Sequence, residues 1–130
     1  MPLTRSVFVE QGVVLVVGSG EVTGDEFAAE TWAQAEEPPL PPPYHCLFDL
    51  REVRFVGELD GFKRLAAGVA AADWPRGQRV AQVVASEHIF GLARMFDMLA
   101  ESGPAEYRLF SDLDEAWAWL GSAPPEEPAP

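Results

Sequence analysis

The chain has 130 residues, 48% of them hydrophobic, which suits one globular domain with a full core. Nine basic against 21 acidic residues leave a net charge of −12, so phosphate backbones and anionic lipid surfaces should repel it, and nucleic acid is not an expected partner. A single cysteine, Cys46, excludes an internal disulfide. No apolar run approaches the ~20 residues needed to cross a bilayer, and no signal peptide is legible, so a cytoplasmic location is expected.

In chain order, Arg5–Glu10 and Val13–Val17 read as two strands joined through Gln11-Gly12, a hairpin signal. The run VVLVV is continuous, which predicts a central strand buried on both faces. Gly18-Ser-Gly20 should break it. The two glycines lack the rest of a phosphate-loop fingerprint, so a plain turn is the expectation. Thr23 then opens a helix, with Glu26 at capping-box spacing and Asp25 near the positive helix end. Phe27, Thr31 and Ala35 should face inward with Trp32 on the flank, and the helix fades by Glu36-Glu37.

Residues 38–43, PPLPPP, form a stiff connector, read as a spacer inside one domain and not as a ligand for a proline-recognising module. Tyr44–Leu50 is a third strand, with His45 and Leu47 on one face and Cys46 and Phe48 on the other. Residues Arg51–Glu58 read as a loop or short extended segment. Glu58–Ala72 reads as a helix with Leu59, Phe62, Leu65, Ala66 and Val69 buried.

Arg79–Gly103 begins with the β-formers Val80, Val83 and Val84 and turns at Ser86. It continues as a helix whose stripe is Ile89, Leu92, Ala93, Phe96, Leu99 and Ala100, until Gly103-Pro104 stops it. Glu106–Phe110 is a fifth strand. Asp112 caps a last helix, with Glu115 at capping-box spacing and a stripe of Leu113, Ala116, Trp117 and Leu120. The predicted fold is α/β: a five-stranded mixed sheet with four helices, in the order β-β-α-β-α-β-α-β-α. Residues 1–121 form one domain, and 122–130, rich in Pro and Glu, form a disordered tail.

Four stretches carry a family resemblance: VVLVVGSGEVTGDEF at 13–27, FDLREV at 48–53, FGLARMF at 90–96 and YRLFSDLDEAWAWL at 107–120. With the element order, they resemble small bacterial SpoIIAA-like proteins, which share the STAS fold of anti-sigma-factor antagonists and are compared with the CRAL-TRIO lipid-binding domain. The resemblance implies a regulatory, partner-binding role without catalysis. It also implies a phosphorylated Ser or Thr at the start of the helix after the third strand. Residues 49–62 hold no Ser, Thr or Tyr, and Glu58 and Leu59 stand in that neighbourhood. Glu58 reads either as a fixed mimic of phosphate charge or as a helix N-terminal Glu favoured by the dipole.

Candidate chemistry is sparse. His45 and Cys46 are strand neighbours, so their side chains diverge and cannot form a nucleophile-base pair; Cys46 reads as a small core residue. No HxxxH or CxxC spacing suggests a metal site, and no cofactor is expected. Ser86 and His88 lie where the fourth strand feeds a helix, a position at which open α/β sheets tend to bind ligands. With Arg51, Arg54 and Arg94 they could line a pocket for a small anionic or acyl ligand; the alternative is a capped helix with a solvated His88. Phe90, Met98 and Trp119 fall off the main stripes, which fits either a partner surface or a deeply buried helix. The expected partners are therefore another protein, a second copy of the chain, or a small lipid-like molecule.

Overall fold

The computed structural model describes residues 3–41, 44–56, 78–85 and 106–121. Within them five strands form one sheet: β1 (Leu3–Phe8), β2 (Val13–Val22), β3 (His45–Phe55), β4 (Arg79–Val83) and β5 (Glu106–Phe110). The spatial order is β1-β2-β3-β4-β5; β1 pairs antiparallel with β2, and every later pair is parallel. Two helices are described, α1 (Gly24–Glu36) and α2 (Leu113–Trp119). The helices predicted over 58–72 and 86–103, and the tail 122–130, lie outside the described residues.

Among the described residues the five predicted strands and two of the four predicted helices are present, but several boundaries differ. The β1–β2 connection is the four residues Val9–Gly12, since Phe8 pairs with Val13. Gly12 sits at φ +65° and donates its N–H to Val9 O at 3.2 Å, closing the turn where an L side chain would be strained. Gly18-Ser-Gly20 does not break β2, which runs on to Val22. Gly18 is buried where a Cβ would overlap the Val53 methyl Cγ2. The glycine therefore serves a close approach inside a strand and not a turn. Likewise, Arg51–Phe55, expected as a loop or short extended segment, continues β3.

A bulge reconciles this extension with the core. β2 advances from Val17 to Ser19 while β3 advances from Asp49 to Glu52, so β3 carries one extra residue. The insertion inverts the alternation of side chains. Cys46, Phe48 and Leu50 pack in one cluster, and Val53 rejoins that cluster beyond the bulge.

Two apolar clusters sandwich the sheet. On one face Val14, Val16, Cys46, Phe48, Leu50 and Val80 pack with Phe27 of α1 and with Leu40 and Tyr44. On the other, Val13, Leu47, Ala81 and Val83 pack under Ala116, Trp117 and Leu120 of α2. Val13, Val14 and Val16 are fully buried on opposite faces of β2, the burial predicted for a continuous apolar run. Both helix starts follow from capping. Glu26 N–H donates to Thr23 Oγ1 at 3.1 Å, and Glu26 Oε1 accepts from Thr23 N–H at 3.0 Å. Asp112 Oδ1 accepts from the backbone N–H groups of Asp114 and Glu115.

Candidate functional site

The parallel ladder leaves β4 and β5 level with Asp49: Asp49 pairs with Val83, and Val83 with Phe110. β2 and β3 run past that level, and their bulge opens a pocket of about 340 Å³ lined by Val17, Gly18, Asp49, Arg51 and Glu52. It lies at the C-terminal side of the parallel strands, the side on which α/β sheets commonly hold ligands.

Asp49 and Arg51, two apart on β3, sit side by side at the bulge. Arg51 Nε donates to Asp49 Oδ1 and its second terminal nitrogen to Oδ2, both at 2.8 Å, and the Arg51 backbone N–H adds a bond to Oδ1 at 3.3 Å. This is a bidentate pair, which fixes orientation as well as charge. Burial pushes the Asp49 carboxyl up, but the Arg51 guanidinium and backbone N–H outweigh it, and the net shift is downward. The bond to Asp49 raises Arg51 in turn, with Glu52 and the α2 cap Asp112 adding to that effect. The pocket therefore offers two carboxylates against one guanidinium already in use. None of its described lining side chains is a hydroxyl, thiol or imidazole; its reactive groups are the two carboxylates, of which Asp49 is held by Arg51.

Arg51 is thus one predicted site residue that does line a pocket. Arg54 does not join it: it sits directly across from Glu21 on the ladder and pairs with that carboxylate at the surface. Glu58, Ser86, His88 and Arg94 lie outside the described residues. Among the described residues, no group of three or more His, Cys, Asp or Glu side chains is placed to hold a metal ion. No helix among them is long and apolar enough to cross a membrane.

A second polar arrangement was not legible as such. Arg5 clasps Glu30 on α1 through Nε at 2.7 Å and a terminal nitrogen at 3.1 Å. Glu30 Oε1 accepts from Gln34 Nε2 at 3.1 Å, and Gln34 Oε1 accepts from both Tyr44 O–H and Cys46 S–H at 3.3 Å. Gln78 Nε2 completes the chain by donating to Cys46 Sγ at 3.6 Å. Cys46 is buried as expected, but it is a hydrogen-bonded member of a polar network and not merely apolar filler. Burial pushes its thiol up to about 12, and burial likewise raises Tyr44. The one available signal is Gln34 itself, which falls at i+7 from Phe27 on the inward stripe of α1, a polar residue where an apolar one is expected.

His45 points to the opposite face, as strand alternation requires. Its Nδ1 accepts the Arg79 backbone N–H at 3.0 Å. Burial first, and then the Arg79 charge, hold the imidazole below its usual range, with Glu106 opposing. Arg79 extends to the end of α2, where a terminal nitrogen donates to Trp119 O at 2.6 Å, Nε donates to Glu106 Oε2 at 3.2 Å, and the guanidinium lies 5.4 Å from the Trp119 ring centre.

A five-stranded mixed sheet, antiparallel at one edge and parallel elsewhere, with helices on both faces, defines an α/β domain with a charged pocket at its strand ends. The SpoIIAA-like family profile matches residues 13–121, which take in β2 to β5 and both described helices, and the chain belongs to that family. A solved relative agrees: an uncharacterized protein of the DUF3478 family from Shewanella loihica PV-4, with a SpoIIAA-like fold, superposes with a TM-score of 0.59 at 18% identity, covering 91% of each chain. At that identity the likeness concerns the fold alone. No curated protein matches the chain.

Proposed function

We propose that this domain works by binding, as a non-catalytic STAS-like regulatory or interaction module whose partner is another protein. One observation carries the reading. Three described groups with catalytic potential are engaged by internal partners: Asp49 by Arg51, the Cys46 thiol by Gln34 in a buried setting, and His45 Nδ1 by the Arg79 amide. A catalytic acid, base or nucleophile must instead be poised toward substrate with a matched pKa. Membership of the SpoIIAA-like family points the same way.

The pocket beside Asp49 supports a second reading, a small-ligand carrier. Its charged lining suits a polar molecule better than an acyl chain, and an anion would meet two carboxylates there. Native mass spectrometry of the purified full chain, followed by calorimetric titration with whatever protein co-purifies, separates the two. Saturable micromolar or tighter binding to a protein supports the interaction module. A retained small molecule with no saturable protein partner overturns it, as would turnover that depends on Asp49.

A further inference from the structure

The His45–Arg79 hydrogen bond has an unusual place in the sheet. The β3–β4 ladder begins at Cys46 opposite Val80, one residue further along. The Arg79 backbone N–H therefore finds its acceptor in the imidazole of His45 and not in a ladder carbonyl. Because Nδ1 accepts, the proton of the neutral ring sits on Nε2. The side chain of the same arginine then secures α2. That helix has seven residues and no basic residue in its last turn. Its C-terminal carbonyls would gain from a nearby cation, and Arg79, reaching from β4 to Trp119 O, supplies it. One residue thus joins His45 at its amide to the end of α2 at its guanidinium.

We propose that His45 is an acid-sensitive latch: when Nδ1 takes up a proton, the Arg79 amide loses its acceptor and the arginine's hold on the C-terminus of α2 loosens. Two donors would then face each other, N–H against N–H, with an imidazolium beside a guanidinium. Among the described residues, the charged groups facing His45 are Arg79 from β4 and Glu106 from β5. β2 presents Val13 opposite it, which does not titrate. Glu106 is itself bound by Arg79, so its charge is partly compensated.

The direction follows from linkage. The folded imidazole is held below its ordinary value of 6.5, so the unfolded chain binds the proton more readily. The latch contributes fully above that pH and is lost as pH falls through the lower, folded value. This inference is independent of whether the domain binds a protein or a small ligand.

The test is an NMR pH titration of the full chain from 7.5 to 4.5 (roughly spanning the histidine range), with amide exchange at Leu120 and Gly121 corrected for its intrinsic pH dependence. These two amides donate within the end of α2, to Ala116 O and Ala118 O. The expected result is that the Trp119 indole resonance shifts with the same midpoint as the His45 ring. Exchange at the two amides should rise about tenfold per pH unit, the slope of one linked proton, as pH falls from about 6.5 toward the His45 midpoint, and level off below it. His45→Gln should remove the transition. His88→Gln, at the other of the two histidines, should keep it. The proposal is overturned if α2 is unmoved while His45 titrates, or if the same transition survives in His45→Gln. Should that variant fail to fold, comparison of the two midpoints in the wild-type chain decides alone.

Discussion

Gly18 of β2 lies directly against Val53 of β3, so close that any β-carbon on Gly18 would overlap the Val53 Cγ2 methyl. The approach follows from the bulge, which turns Val53 back into the cluster that holds Leu50 and the partly buried Leu3. The glycine and the bulge are therefore one device: the missing side chain leaves room for the valine that the inserted residue redirects.

Gly18→Ala should accordingly destabilise the domain by about 1–3 kcal/mol through overpacking. Gly20→Ala is the informative comparison. Gly20 has φ +73° and open space within 4 Å of the point where a methyl would sit, so its cost is backbone strain alone, about 1 kcal/mol. Urea denaturation of both variants checks the order. Restoring space with Gly18→Ala/Val53→Ala should recover part of the Gly18 loss but would leave Gly20→Ala unchanged.

Arg51→Ala should leave the mostly buried Asp49 carboxylate without its bidentate partner. Arg51 is 44% exposed, so solvent screening limits the expected loss to about 1 kcal/mol at neutral pH. Asp49 has a lowered pKa in the fold, so this contribution is complete well above 3.8 and disappears as pH falls through the folded value. Denaturation midpoints of wild type and variant, measured from pH 7 downward, should differ at neutral pH and converge in acid. A gap that widens in acid would contradict the assignment.

Trp117 anchors α2. It is 2% exposed and meets Phe8 edge-on with ring centres 5.5 Å apart. Trp117→Ala should cost about 3–5 kcal/mol, the usual loss when a buried Trp is truncated and leaves a cavity. Calorimetric or chemical unfolding measures it. A loss below about 1 kcal/mol, far under the usual cost of such a truncation, would mean that α2 does not hold this face of the sheet.

Cys46 should resist thiol reagents in the folded protein. Its thiol is fully protonated at pH 8, because burial raises it to about 12. Ellman's reagent should report no free thiol under native conditions and one per chain in denaturant, matching the single cysteine. Rapid native labelling would show that the face beneath α1 opens readily.

Periodicity and capping are sufficient for the elements themselves, because they are local. The Thr23–Glu26 box starts α1 at the predicted place, and the stripe of Ala116, Trp117 and Leu120 is the buried face of α2. The run VVLVV already implies a strand covered on both sides. Arg51 can be named as a candidate because a cation beyond the third strand suits an anion pocket, though its partner in the fold is Asp49. What composition and spacing cannot decide are the events that depend on a neighbour. Gly18-Ser-Gly20 reads as a break when taken alone; only Val53, 35 positions away, makes Gly18 a packing residue in an unbroken strand. The bulge between Asp49 and Glu52 exists only relative to β2, and the register it sets places Arg54 opposite Glu21. His45, Arg79 and Trp119 carry no shared motif, yet the ladder brings them into one chain of contacts. A local pattern fixes how each segment folds; distances between segments, and hence which charges meet, arise only when the sheet sets their register.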